Sequence, residues 1–558
     1  MAAPKLILDY VYDNEAKHKD KVYLTQPTGG SQVIDYTWRQ TMDQARRMAA
    51  HLKAQGFEPG AKIAILSKNC AHFIIAELAI WMAGYTTVAI FPTETADTVK
   101  YVLEHSGAKL LFVGKLDTWE QQKPGVPADM PCIAFPLAPK TSYEPWHAVV
   151  RRAALTGRIA RAGSDIAILL YTSGSTGTPK GVMHSFERIS RVSESIAKTI
   201  GDQIGNVSEN RILSYLPLAH VFERAWVECA SLVDGNTHIF FAESLDTFLK
   251  DLNRARPTTF ISVPRLWLKF QQGVFSKMPP EKLERMLRIP LLNRIVKRKV
   301  LKNLGLDKAL LAGSGSAPIP ADLISWYRNL GLNLIEGYAM SEDFAYSHNS
   351  TIDINEPGCV GVPLPGVKVR ISEEGEILIK SPGQLIGYYK RPDLDAEVFT
   401  EDGYFRTGDR GERRADGLLK ITGRVKEIFK TSKGEYVSPA PIENRINAHP
   451  LVESCMVSGA GQAAAYAMVV LAENIRPKQN DPAVRARVEK ELTQLLQEVN
   501  EALVAYERLQ MLVVAKEPWS IDNGCLTPTM KIKRNRIENN VSNQVPTWYG
   551  NNAKVQWA

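Results

Sequence analysis

The chain has 558 residues, 44% hydrophobic and 23% charged, with a formal net charge of +8. That length exceeds what one compact core supports, so two or more domains are expected. The mild positive charge suits anionic small molecules or a loose membrane contact and falls short of a nucleic-acid-binding signature. Six scattered cysteines (Cys70, Cys132, Cys229, Cys359, Cys455 and Cys525) form no CxxC pair, which argues against a zinc site or disulfide framework and fits a reducing cytosol.

The opening MAAPKLILDYVYDNEAKHKDK breaks its apolar runs with acids and lysines, so no secretory signal is expected and a cytoplasmic location fits. The most apolar stretch, FIIAELAIWMAGYTTVAIF (73–91), contains Glu77 and Gly84. It reads as a buried helix and a buried strand rather than a membrane span. From residue 60 to about 340, short β-rich runs alternate with helical patterns. KIAILSKN, TTVAIFP, KLLFVG, DIAILLYTS, RILSYLPL, HIFFAE, TTFISVP, KALLAGSGS and NLIEGYAM are continuously apolar, as parallel strands covered on both faces are.

The stretch LERMLRIPLLNRIVKRKVLKNLG (283–305) is basic, with apolar residues at roughly helical spacing. It reads as a solvated helix face over a core stripe; contact with an acidic membrane or a CoA phosphate is the alternative. After residue 355, GVKVRIS, GEILIKS and GLLKITGRVKEIFK are strands separated by Gly, Pro and Asp turns, which predicts a small antiparallel subdomain. The last hundred or so residues return to helix–strand alternation. The expected class is α/β. A large N-terminal domain, residues 1–424, has parallel sheets flanked by helices plus the antiparallel β-subdomain, and a small α+β domain follows at 425–558.

One loop stands out. YTSGSTGTPKG (171–181) follows a predicted strand and precedes a helical pattern. Backbone N–H groups of a glycine-rich turn can converge on one anion, hydroxyls add donors, and a following helix N-terminus adds positive partial charge. Lys180 would meet a phosphate as a point charge. A polyphosphate is the ligand such a loop suits. The spacing is not GxxxxGK[ST], because Lys180 sits between Pro179 and Gly181, and it is not the G-x-S-x-G of an esterase elbow. A loop that only joins strand to helix is the alternative on composition alone.

Four further stretches lie downstream in order: IEGYAMSED (335–343), YFRTGDRG (404–411), ITGRVKEIFKTSKGEYVSPAPIEN (421–444) and LTPTMKIKRNRIE (526–538). With the loop they resemble the ordered core motifs of the adenylate-forming superfamily, which includes acyl-CoA synthetases, luciferases and peptide-synthetase adenylation domains. The resemblance runs from about residue 30 to 540. YLPLAHVFER, KGEYVSPAPIEN and LTPTMKIKR look most like the long-chain acyl-CoA synthetase branch.

The resemblance implies a role for each matching residue. Thr172, Ser173, Gly174, Ser175, Thr176, Gly177 and Lys180 would form the mobile loop on the ATP phosphates. GSGSAP (313–318), with Gly315, Ser316 and Ala317, would hold adenine together with Glu336, Gly337 and Tyr338, whose ring would stack on the base. Glu342 and Ser173 would bind Mg²⁺, and Ser341 would touch phosphate. Asp409 would accept from the ribose hydroxyls with Arg424 in support. Lys426 falls at the hinge, and Lys531 would contact the reacting carboxylate and α-phosphate. His220 would gate the acyl pocket, and Gly434 lies in the loop expected to replace Lys531 for the second step. By itself Asp409 reads as a turn cap, Lys531 as one more solvated charge, Tyr338 as a core aromatic and His220 as a structural histidine; the ordered series favours the functional readings of Asp409 and Lys531. Two positions depart from the family pattern: Ala339 replaces the usual Gly and Ser341 the usual Thr. Ser341 keeps the hydroxyl, whereas Ala339 adds a methyl near the expected carboxylate.

The implied chemistry is activation of a carboxylic acid by ATP as acyl-AMP, with release of pyrophosphate, then attack by the thiol of coenzyme A. The substrate expected is a long-chain fatty acid. Alternatives are a medium-chain, aryl or thio-carboxylate CoA ligase on the same scaffold, or a catalytically silent nucleotide-binding protein. No nucleic-acid partner is expected.

Overall fold

The computed structural model describes residues 4–173, 178–527 and 530–558, with Ser173 described as backbone only. Most of the apolar runs before residue 190 pair into one seven-stranded sheet. Its spatial order is Glu144–Pro145, Cys132–Ala134, Leu110–Val113, Lys62–Leu66, Thr86–Ile90, Ile166–Ser173 and Pro179–Ser185. Neighbours are parallel except the last pair, an antiparallel hairpin. The apolar run at 73–91 divides as expected into helix Ala71–Ala83, buried at every residue, and the strand Thr86–Ile90. Gly84 adopts φ of 94°, which ends the helix in a left-handed cap and turns the chain straight into that strand. Among the described residues no helix is long and apolar enough to cross a membrane.

The other strands form separate sheets rather than one continuous parallel array. Asn210–Ser214 and Thr237–Phe241 pair in parallel, and an N-terminal hairpin, Val22–Gly29 with Gln32–Thr37, completes their sheet. Thr259–Ser262, Leu311–Ser314 and Leu334–Tyr338 run parallel and are extended antiparallel by His348–Asn349 and Val362–Pro363. The carboxyl ends of Leu311–Ser314 and Leu334–Tyr338 therefore emerge side by side, where ligands of open α/β sheets bind.

The antiparallel subdomain consists of Lys368–Ile371, Glu376–Lys380, Phe405–Arg413 and Leu419–Arg424. The run GLLKITGRVKEIFK is not one strand. A 3₁₀ turn at Val425–Glu427 interrupts it, and Phe429–Lys430 pairs instead with Tyr436–Val437. Beyond lies a four-stranded sheet of Val452–Ser458, Ala465–Leu471, Leu509–Val514 and Val555–Trp557, backed by helix Pro482–Glu501. Asp481 caps that helix by accepting from the N–H groups of Ala483 and Val484. Val452, Val469, Leu492, Leu496 and Leu512 build a core of their own there.

The basic 283–305 stretch folds as two helices, Pro280–Arg288 and Leu292–Asn303, because Pro290 cannot continue the first. Leu283, Leu287, Val296 and Val300 form the expected core stripe. One polar group lies deep in the main core: Arg224 pairs with Glu77 and lies 3.6 Å from Glu228, with all three side chains fully buried.

Candidate active site

The strands on either side of the glycine-rich run, Ile166–Ser173 and Pro179–Ser185, pair antiparallel. Thr172 pairs with Lys180, and strand Pro179–Ser185 continues to Ser185, which caps helix Phe186–Ile204. The helix expected directly after the glycine-rich run thus begins only at Phe186, behind a strand. The physical reason is pairing: residues 179–185 satisfy their backbone groups against 166–173 before a helix begins. Gly174, Ser175, Thr176 and Gly177 lie outside the described residues, as does the Ser173 side chain.

At the neighbouring strand ends, Gly315 follows Leu311–Ser314 and Glu336, Gly337 and Tyr338 close Leu334–Tyr338. A Cβ at Gly315 would sit 3.2 Å from the ring of Phe222, so glycine permits this close approach. Ser316 adopts φ of 68°, which turns the chain toward Ala317. Glu336 is buried, with Oε1 accepting from Ile319 N at 3.4 Å, so it props the 315–319 turn from below. Burial pushes its carboxyl up to about 8. The Tyr338 phenol donates to Asp409 Oδ2 at 2.7 Å, and Arg424 Nε donates to Oδ1 at 2.8 Å. Asp409 and Arg424 face each other across the paired strands Phe405–Arg413 and Leu419–Arg424, so register alone sets this pair.

Glu342 sits in a short 3₁₀ turn, Ser341–Asp343, just beyond that strand. Buried Asp343 accepts from Met340 N at 3.0 Å and Tyr346 N at 3.1 Å, fixing the turn that presents Glu342. His184 is buried on the hairpin strand and donates through Nε2 to the Ser341 carbonyl at 2.8 Å. Glu342 Oε1 accepts from the Tyr388 phenol at 2.8 Å, and Lys180 Nζ lies 5.3 Å over the Tyr388 ring. Tyr388 thereby links the loop lysine to the carboxylate. Ala339 packs against the main core. Sequence reasoning missed Tyr388, His184, Asp343 and Phe222. Their only signals are an aromatic pair in GYYKRPD and residues adjoining motifs already chosen.

The small domain brings Lys531 to this cleft. Thr527 N donates to Lys531 O at 2.8 Å and Lys531 N donates to Thr527 Oγ1 at 3.0 Å, a turn that presents the lysine. Its side chain is exposed to solvent, and the charged groups of the cleft still act on its ammonium. Desolvation and the Arg424 charge lower its pKa below the ordinary lysine range, while Asp409, Glu342 and Glu427 pull it upward. His220 caps the turn Val221–Glu223, its Nδ1 accepting from Phe222 N at 3.2 Å, so the proton of the neutral ring resides on Nε2. Burial, with Lys531 nearby, holds the imidazole down at about 3.

Two expected residues lie outside this group. Lys426 is exposed in the turn Val425–Glu427, between the antiparallel subdomain and the small domain. Gly434 is exposed with φ of 86°, and its amide bonds back to Thr431 O at 3.0 Å within its own turn.

Among the described residues no cluster of three or more His, Cys, Asp or Glu side chains could hold a metal ion. Glu342 nevertheless fits Mg²⁺: Oε1 is engaged by Tyr388, and Oε2 accepts no hydrogen bond among the described residues. A hard cation held by one carboxylate and completed by phosphate oxygens needs no more from the protein.

Comparison with known proteins defines the class. The AMP-binding enzyme model matches residues 11–389, and the AMP-binding enzyme C-terminal domain model matches 426–553. The chain belongs to the AMP-binding enzyme family, the adenylate-forming superfamily anticipated from its motifs, in which ATP, Mg²⁺ and coenzyme A are the usual cofactors. Among its relatives, a long-chain-fatty-acid–CoA ligase, FadD15 of Mycobacterium bovis, is 29% identical over 97% of this chain and 96% of its own. Long chain acyl-CoA synthetase 2 of Arabidopsis thaliana is 28% identical over 91% of this chain and 87% of its own. Among solved structures, the A domain of carboxylic acid reductase from Segniliparus rugosus, in complex with AMP and a co-purified carboxylic acid, superposes with a TM-score of 0.80. It is 23% identical and covers 98% of this chain and 94% of that one. The anthranilate CoA ligase AuaEII, in complex with anthranoyl-AMP, gives 0.78 at 21% identity over 98% of this chain and 99% of its own.

Proposed function

We propose that this protein is an ATP-dependent fatty acid–CoA ligase acting through an acyl-AMP intermediate, with a long-chain acid as substrate. The observation that carries the reading is that Lys531, from the small domain, lies within electrostatic reach of Glu342, Asp409, Arg424 and His220. The names of relatives matched over most of their length support the long-chain assignment.

A carboxylate is a poor electrophile, and joining it to the α-phosphate of ATP replaces an oxide-like leaving group with AMP. Negative charge develops at phosphorus. Lys531 meets it as a positive charge aimed at the reacting oxygens, and Lys180 meets the phosphates. Glu342 would hold Mg²⁺, which when bound neutralises phosphate charge. The Asp409 carboxylate, already gripped by Arg424 and Tyr338, accepts from the ribose, and Tyr338 offers its ring to adenine. Neutral His220 keeps its proton on Nε2, which would serve as the donor at the acyl entrance.

The thiol of coenzyme A then loses its proton and attacks the acyl carbonyl from the side Lys531 occupied, and the acyl–phosphate bond breaks with departure of AMP. The small domain, residues 425–558, swings about Lys426 and exchanges Lys531 for the Gly434 turn.

The test is a panel of free acids from acetate to oleate, assayed with ATP for pyrophosphate and AMP, with and without coenzyme A. Expected is thiol-dependent turnover that rises with alkyl length. Preferential use of benzoate-like or short acids would overturn the long-chain assignment. Absence of pyrophosphate with every acid would overturn the ligase reading and leave a silent nucleotide-binding protein.

A further inference from the structure

The helix pair in the 283–305 region carries more than a solvated face. Between Arg288 and Leu292 the chain makes a tight turn in which Leu292 N donates to Pro290 O at 2.9 Å. Leu291, at its centre, has φ of 70° and ψ of −51°, a γ-turn conformation that bulky residues rarely hold. The turn leaves Ile289 51% exposed, Leu291 78% and Ile295 64%. Three large aliphatic side chains thus stand in water at and beside one turn, while Leu283, Leu287, Val296 and Val300 supply the core contact.

The surroundings are strongly basic. Residues 282–302 contain eight Lys and Arg and a single acid, Glu284. The only ion pair among these side chains in the described residues joins Arg288 to Glu284 at 3.9 Å. On the helix Leu292–Asn303, positions 294, 295, 298 and 302 recur at three- and four-residue steps and share one face with Leu291. That face is opposite Val296 and Val300. Arg294, Arg298 and Lys302 therefore flank the same surface that displays Leu291 and Ile295, and all are exposed.

We infer that the 289–295 tip is a docking element for an anionic lipid bilayer. The aliphatic tip enters the boundary between headgroups and acyl chains, and the arginines and lysines around it lie at the phosphate level. Charge complementarity selects this occupant. A protein partner would need directional acceptors matched to particular cations. A bilayer asks only for aliphatic side chains ringed by positive charge, which Ile289, Leu291 and Ile295 with Arg294, Arg298 and Lys302 supply. Nucleic acid would meet isoleucine and leucine where stacking needs an aromatic ring, and residues 282–302 contain none. The inference concerns a surface apart from the cleft and holds whichever acid the protein activates.

Flotation of the full chain with vesicles tests it, using phosphatidylcholine alone and an equimolar mixture with phosphatidylglycerol. Expected is binding to the mixed vesicles only, weakened by salt. Arg294→Gln with Arg298→Gln lowers the partition by about thirtyfold, at about five- to sixfold per charge. Leu291→Ser with Ile295→Ser lowers it by about tenfold. Both double variants keep the wild-type melting temperature and pyrophosphate release, which separates lost docking from lost folding. The inference is overturned if the wild-type chain does not float, if the serine variant floats like wild type, or if the tip instead mediates self-association without lipid.

Discussion

The Tyr338 phenol and the Asp409 carboxylate meet at 2.7 Å although 71 positions separate them in the chain. This bond ties the end of a parallel strand in the large domain to the antiparallel subdomain. Arg424 takes the other oxygen of Asp409, so one carboxylate joins three segments. Replacing Asp409 by Ala leaves a guanidinium and a phenol without their acceptor and removes the one offered to ribose. Charge-assisted hydrogen bonds contribute about 1.5–3 kcal/mol each, so kcat/KM for ATP should fall by about a hundredfold or more. Tyr338→Phe keeps the ring and should cost less than tenfold, read in steady-state kinetics with ATP varied.

Lys531→Ala separates the two half-reactions. Loss of one preorganised charge at the reacting oxygens lowers acyl-AMP formation by about 10²–10³-fold. Conversion of supplied acyl-AMP to thioester should stay within a few fold of wild type. Acid-dependent pyrophosphate exchange measures the first step and acyl-CoA formation from synthetic acyl-AMP the second. Equal loss in both would remove the support for a swinging domain.

A second link holds the domains in this arrangement. Arg265, on helix Pro264–Phe275, pairs with Glu453 at the start of the small-domain sheet, and Arg476 reaches the other Glu453 oxygen at 2.7 Å. Exposed pairs contribute up to about 1 kcal/mol, so Arg265→Glu should slow adenylation by about two- to fivefold. The thioester step, which needs the small domain elsewhere, should be unchanged or faster. The double variant Arg265→Glu with Glu453→Arg restores adenylation only where the direct pair matters, and the half-reaction assays above read this out.

Stability should depend on buried imidazoles. Burial holds His72 down at about 3, packed edge-on against Trp146 at 5.1 Å. A histidine with a depressed pKa is neutral when folded but protonated when unfolded below about pH 6.5. The unfolded state then binds more protons, so stability falls as pH drops from about 6.5 toward 3. His72 contributes a slope of about 1.4 kcal/mol per pH unit in that window. His72→Phe should flatten the pH dependence by that amount, read from denaturant midpoints at several pH values between 7 and 5.

Much of the fold was legible because the signals were local. The division of 73–91 into helix and strand follows from apolar continuity ended by Gly84, whose left-handed φ of 94° lets the chain reverse there. The core stripe at 283–300 follows from helical spacing, and Pro290 marks where it had to break. The hairpin after the glycine-rich loop was misread as a helix start. Residues 179–185 carry no strong strand pattern alone and become a strand only by pairing with 166–173.

By itself the sequence determined which residue types were available in order: the hydroxyl-rich loop, Tyr338, Glu342, Asp409, Arg424 and Lys531. It also determined the α/β class, because apolar period is a property of neighbours along the chain. The tertiary structure alone decided that Tyr388 grips Glu342, that Phe222 fills the space beside Gly315, and that Lys531 enters the cleft. It also decided that Ile289, Leu291 and Ile295 face water rather than core. These depend on contacts between distant segments, and hydrophobic pattern fixes which face is buried without fixing what lies opposite it.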